Sequence, residues 1–320
     1  MSIKNTLRIA LVVAGLAIAA GCAKKPEPQD TAAAAGFDTP QAAVTALVAA
    51  LEKNDLAQLQ ALLGPGSEEL LDSGDAVQDA SDRAGFLAAY GAKQAIVDDG
   101  TDRKVLVIGE DDWPMPVPLV KRDGKWAFDG EAGIDEMIYR RVGANELGAI
   151  DVCRGFVSAQ LEYASEGRDG DPPGIYALKL VSDEGMHNGL YWPTAEGEPE
   201  SPAGPFVAAA AAEGYRRAEG EARNPYHGYY YRMLYAQGAN ANGGARDYFK
   251  GGLLTEGFAL IAWPADYGSS GVMTFIVNQD GVVFQKDLGE DTATAVESIE
   301  TFDPDSSWTA IVPPAEEPAT

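Results

Sequence analysis

Two histidines, two cysteines and scattered carboxylates are the stock from which this chain can assemble a reactive centre. A Ser-His-Asp or metal-histidine site must therefore use His187 or His227. His227 sits in PYHGYYY, where neighbouring polar groups can hold its ring, so it is the candidate general base of a hydrolase. A hydrogen-bonded structural histidine at a strand entry is the commoner fate of such a residue. Gly268-Ser269-Ser270-Gly271 lacks the GxSxG spacing of a nucleophile elbow and reads as a loop between strands. Neither CxxC nor HExxH occurs, and Gly238–Gly244 lacks the GK[ST] ending of a phosphate loop.

Asp169-Gly170-Asp171 places two carboxylates around one glycine, a spacing that can hold calcium when carbonyls complete the shell. The glutamate at position twelve of an EF-hand is missing, and a solvated acidic turn is the plainer reading. The aromatics Trp192, Tyr226, Tyr230 and Trp263 can line a glycan or peptide surface by presenting their faces to apolar patches of a ligand. In a strand Tyr229 and Tyr231 point away from Tyr230, so only part of that aromatic-rich stretch can share one surface. Arg140, Arg141 and Glu146 form a charged cluster that we read as a structural ion-pair network joining two domains, with a ligand clamp as the alternative.

The element that must position these residues is a helix. In ANELGAIDVCRGFVSAQLEYAS, residues 144–165, apolar residues recur at Ile150, Cys153, Val157, Leu161 and Ala164, giving about six turns with one side to bury. Cys153 lies on that apolar side, where a thiol is ordinarily a small buried hydrophobe. Before this spine, Thr39-Pro40 is an N-cap with proline at N1, and Ala43, Val44, Leu47, Val48 and Leu51 mark a first helix. Asn54 or Asp55 caps a second that stops at Gly64-Pro65-Gly66, and a third is predicted from about Asp79 to Gln94. Strands follow at Val105–Val107, Val117–Val120 and Lys125–Phe128, with a hairpin at Asp123-Gly124.

Beyond the spine, Tyr229–Tyr235, Phe258–Trp263, Val272–Asn278 and Val282–Lys286 read as a four-stranded meander. A short helix is expected at Phe206–Ala212 inside a Gly- and Pro-rich region. The expected class is α+β: helices with a curved, cone-like antiparallel sheet over residues 37–131, then the spine helix and meander sheet over 132–312. Residues 313–320 read as a disordered tail.

Residues 1–21 have the form of a bacterial lipoprotein signal. Lys4 and Arg8 start it, Ile9–Ala20 is its apolar run, and Ala19-Ala20-Gly21-Cys22 is a lipobox that makes Cys22 the lipidated first residue. The run is too short to span a membrane. Ala23 in place of aspartate, at the second mature position, points to the outer membrane and a body facing the periplasm. Residues 22–36 are a polar, Pro- and Ala-rich tether. Losing Lys4 and Arg8 moves the net charge of the 320-residue chain from −25 to −27. Such an acidic surface repels nucleic acid and anionic headgroups, so the partners expected are the membrane through the lipid and another envelope protein or cell-wall component. With Cys22 lipidated, Cys153 has no disulfide partner, and no cofactor other than the candidate calcium is indicated.

Three resemblances add to this. DDWPMPVPLV at 111–120, YRRVGANELGAI at 139–150, SAQLEYA at 158–164, NPYHGYYYRML at 224–234 and the run 257–292 closely resemble an uncharacterised bacterial envelope family, that of domain of unknown function 2950. It implies no activity, substrate or catalytic residue. FDTPQAAVTALVAALEKNDLAQLQALLG resembles the start of nuclear transport factor 2-like cones, which implies a fold over residues 37–128 and no activity. NELGAI, AQLEYA, DGDPPGIYA and TFIVNQDGVV resemble the globular part of type II secretion major pseudopilins. That likeness implies a pilin-like fold for 144–286 but not filament assembly, because the helix here begins in mid-chain. The composite expectation is a lipid-anchored binding or scaffold protein, with a small-ligand or glycan-binding module as the alternative and a hydrolase around His227 as the third.

Overall fold

The computed structural model describes residues 35–64, 66–195, 198–205, 207, 210 and 225–312. The signal, Cys22 and most of the tether, the greater part of the expected Phe206–Ala212 helix and the tail at 313–320 lie outside the described residues. The class is α+β, and Ala32–Thr320 forms one compact unit built on two hydrophobic cores.

The first core begins at α1 (Pro40–Glu52), whose N-cap Thr39 accepts a hydrogen bond from Ala42 N–H ahead of the proline. Helix α2 (Leu56–Leu63) is capped by Asp55, which settles the Asn54/Asp55 alternative, and stops at Gly64. Helix α3 (Glu68–Leu71) is one turn, and α4 (Ala76–Ala92) is capped by the Asp75 side chain. The expected end of α4 at Gln94 is corrected. Lys93 is already extended, and Gln94 opens β1 (Gln94–Asp98), which pairs antiparallel with β2 (Arg103–Ile108). Next come β3 (Trp113–Pro114), β4 (Leu119–Arg122) and β5 (Lys125–Phe128), giving a sheet in the order β1-β2-β4-β5 with β3 on β2. Asp123 and Gly124 turn the β4–β5 hairpin with φ of 51° and 80°, the left-handed pair that a two-residue hairpin turn needs.

Helix α5 (Ile134–Ser165) carries the architecture. It is 32 residues, about 48 Å long, and starts ten residues before the expected Ala144. Gly143 is the physical reason for the difference: a mid-helix glycine costs about 1 kcal/mol and reads as a break. Burial outweighs it, because Ile134, Ile138 and Val142 stand at four-residue steps and insert into the first core. Further along, Ala149, Ile150, Cys153, Phe156, Val157 and Tyr163 enter the second core, whereas Leu161, expected on the buried side, is half exposed. The polar residues Arg141, Asn145 and Glu146 fall between these two apolar stretches of one helix.

The second core closes on a sheet. Strands β6 (Lys179–Val181) and β7 (Gly189–Tyr191) form a small parallel pair, and β8 (Tyr229–Leu234) begins the main sheet. Two short hairpin pairs intervene, β9 (Ala236–Gln237) with β10 (Arg246–Asp247) and β11 (Phe249–Lys250) with β12 (Leu253–Leu254). Strands β13 (Ala259–Pro264), β14 (Met273–Asn278), β15 (Phe284–Asp287) and β16 (Thr309–Ala310) complete an antiparallel meander, β8-β13-β14-β15-β16. Register separates the aromatics by face. Tyr229 is fully buried beside Phe275 with ring centroids 5.6 Å apart, and burial, with the Glu146 charge second, pushes its phenol up. Tyr230 pairs with Trp263 on the opposite face, where Arg232 donates to the carbonyls of Val296 and Ile299.

Candidate functional site

The C-terminal end of α5 presents a cluster of mixed chemistry. After Ser165 the chain turns back: Asp171 N–H donates to Arg168 C=O at 2.8 Å, Asp169 takes a left-handed φ of 48°, and Gly167 lies so close to Asp171 C=O that a Cβ would meet it at 2.2 Å. This turn aims Asp169 at the loop before β7. Its Oδ2 accepts from His187 N–H at 2.6 Å and its Oδ1 stands 3.2 Å from His187 Nδ1. Tyr163 anchors the same loop by donating its hydroxyl to His187 C=O at 2.5 Å. Burial, with the nearby Asp169 charge second, pushes the Tyr163 phenol up, which keeps it a neutral donor.

Two rings and a cation complete the cluster. The His187 ring lies 4.6 Å from that of Trp192, and the Arg168 guanidinium sits 5.3 Å from the Trp192 centroid and 5.8 Å from that of Tyr163. Arg168 reaches Glu166 at 3.2 Å through Nη2, while its buried Nε has no hydrogen-bond partner among the described residues. The two Asp169 oxygens, one on the His187 N–H and one facing Nδ1, hold the loop and its ring in one orientation, with the side chain 48% exposed. A half-buried indole, a part-exposed imidazole and a guanidinium beside them can together contact a ring-shaped polar ligand.

The middle of α5 carries the contrasting arrangement. Arg141 donates from Nε to Ser269 C=O at 2.9 Å, from Nη2 to Ser269 Oγ at 2.8 Å and from Nη1 to Leu70 C=O at 2.9 Å. Asn145 Nδ2 donates to Ser270 C=O at 2.9 Å, and Glu146 Oε1 accepts from the N–H groups of Val272 and Met273, both at 3.0 Å. On the other side, Asp75 Oδ2 accepts from Gly228 N–H at 3.1 Å. Arg141, Asn145 and Glu146 fasten α3 and the 269–273 loop to α5, and Asp75 ties the start of α4 to the 226–228 loop. Burial pushes the Asp79 carboxyl up, and the Arg141 and Arg83 charges only partly offset this.

A family model described as "Protein of unknown function (DUF2950)" matches residues 34–311. This chain belongs to that family. No curated protein and no solved structure matches it. The membership covers both cores and both polar arrangements, so both belong to one family unit.

The structure brings together two of the site residues expected from the DUF2950 chain's sequence, Asp169 and Trp192, and joins them through His187, which the sequence reading passed over for His227, and Arg168, which it did not select. Asp171 contributes its backbone to the turn. Asp169 directs both oxygens to His187, and among the described residues no group of three or more His, Cys, Asp or Glu side chains is placed to hold a metal. Tyr230 and Trp263 form a separate ring pair 5.9 Å apart on the main sheet. The Tyr226 and His227 rings lie 4.1 Å apart, tilted by 41°. His227 has φ of 50°, and its ring packs over Gly148 of α5, where a Cβ would meet it at 2.9 Å. Of the expected charged cluster, Arg140 pairs with Glu136 at 2.8 Å, while Arg141 and Glu146 bond to the 269–273 loop. Cys153 is fully buried, and its thiol is pushed up to about 12.

Proposed function

We propose that this DUF2950 protein is a lipid-anchored envelope protein that works by binding another envelope component, a protein or the cell wall, from the periplasmic side of the outer membrane. Cys22 would carry the lipid, and residues 23–36 would tether the body. The observation that carries the binding reading is the Arg168–Asp169–His187–Trp192 cluster. Its polar groups are oriented by internal contacts, while the His187 side chain stays 48% exposed and available to a partner.

The glycan-binding reading draws on the same cluster, since an indole beside an imidazole and a guanidinium suits a sugar ring, which has both apolar faces and hydroxyls. Two experiments test these readings. Labelled fatty acid should be incorporated into the chain and lost with Cys22→Ala; unchanged incorporation would remove the anchor. Co-sedimentation with purified cell-wall sacculi, lowered at least several-fold by Trp192→Ala, would favour the glycan reading, and equal sedimentation of both chains would exclude this cluster from it.

A further inference from the structure

Among the described residues, the face of α5 turned away from both cores is uncovered and carries large apolar side chains, with Tyr139 69% and Leu147 66% exposed. Leaving such side chains in water forgoes burial that a partner surface could supply. Around them lie Glu136, Arg140, Asp151 and Arg154, all on the same side of the helix. We propose that this face is where two copies of the chain meet, helix against helix and antiparallel, about a two-fold axis passing close to position 145.

Two features fix that occupant and that direction. The charges run minus, plus, minus, plus along the helix, at 136, 140, 151 and 154. Read against its own reverse, the pattern is complementary: Glu136 and Arg154 are equidistant from position 145, and Arg140 and Asp151 stand opposite one another to within one residue. Each end of the contact then sets Glu136 and Arg140 of one copy against Arg154 and Asp151 of the other, with no net charge. A parallel pairing would set like charges together. On a chain of net charge −25, a neutral face is where two copies approach at least cost.

The second feature is steric. Gly143 and Leu147 are also equidistant from position 145, and a Cβ built on Gly143 meets nothing within 4 Å. Leu147 of each copy therefore projects into the gap left by Gly143 of the other, a self-complementary knob and notch of the kind an isologous interface requires. The glycine that costs α5 stability gains a role as the notch.

Disulfide capture tests this on the purified full chain at about 100 μM, with copper phenanthroline as oxidant and the unsubstituted chain as background. Ala144→Cys, beside the axis, should give a covalent dimer several-fold above background, and adding Leu147→Glu should abolish it without moving the thermal midpoint. Glu136→Cys alone should give none, because its two copies lie on the order of 27 Å apart along the helices, while Glu136→Cys with Arg154→Cys should restore capture. Ala144→Cys that labels with maleimide yet stays monomeric would overturn the proposal. So would Glu136→Cys alone cross-linking as efficiently as Ala144→Cys.

Discussion

Two arginines, one inside α5 and one just beyond its end, have opposite fates. Arg141 is 9% exposed, and its guanidinium directs hydrogen bonds to α3 and to the 269–273 loop, both distant in sequence. Arg168 sits beside two rings, pairs with a surface glutamate and leaves Nε unsatisfied among the described residues. The first arrangement saturates a buried cation and so builds structure; the second holds a cation in place with donor capacity to spare, which suits recognition. The distinction lies in where the donors go, not in residue type or charge.

The largest effect expected from this contrast is at Arg141. Arg141→Ala strands the carbonyls of Leu70 and Ser269 and removes the cation beside Asp79, so unfolding in urea should show a loss of about 3–5 kcal/mol. A loss under about 1 kcal/mol would erase the contrast. Next, Cys153→Ser should cost about 1–3 kcal/mol, since the site offers a hydroxyl an apolar core. The native thiol should resist maleimide until the chain unfolds, and fast labelling of the folded protein would contradict its burial.

Asp79 gives a pH test of the saturated region. Its folded-state value is raised above the ordinary 3.8, chiefly by burial, so the native state holds the proton more tightly than the unfolded chain. Its contribution is therefore fully present below pH 3.8 and is lost as pH rises through the raised folded value. Asp79→Asn, which keeps an acceptor for Ser73 N–H, should flatten the fall in thermal midpoint across that interval. An unchanged slope would place the titration elsewhere. The smallest stability effect is at Arg168, where Arg168→Ala should cost under about 1 kcal/mol, because its ion pair is with an exposed glutamate and its Nε has no partner to lose among the described residues, while weakening partner binding.

Much of the first core was legible because its signals are local. Thr39-Pro40, Asp55 and Asp123-Gly124 each decide a cap or turn within a few residues. The four long strands of the meander were legible from apolar runs. The early start of α5 was not, because Gly143 interrupts the pattern and only packing against the first core restores it. Strand β1 was hidden for a related reason: QAIVD follows a helix directly, with Lys93 alone as the break. The cluster was legible only in part. Asp169 and Trp192 carry recognisable chemistry, but His187 and Arg168 join them through a loop whose path no periodicity encodes. His227 shows the converse, a chemically suggestive residue placed against α5 at Gly148.

The most direct test of the central claim is cross-linking in intact cells, followed by mass spectrometry of what is captured, comparing the native chain with Trp192→Ala at matched abundance. The account predicts one dominant envelope component on the native chain and its loss from the variant. An identical captured set on both chains would contradict it, because the recognition surface would then lie outside the Arg168–Trp192 cluster.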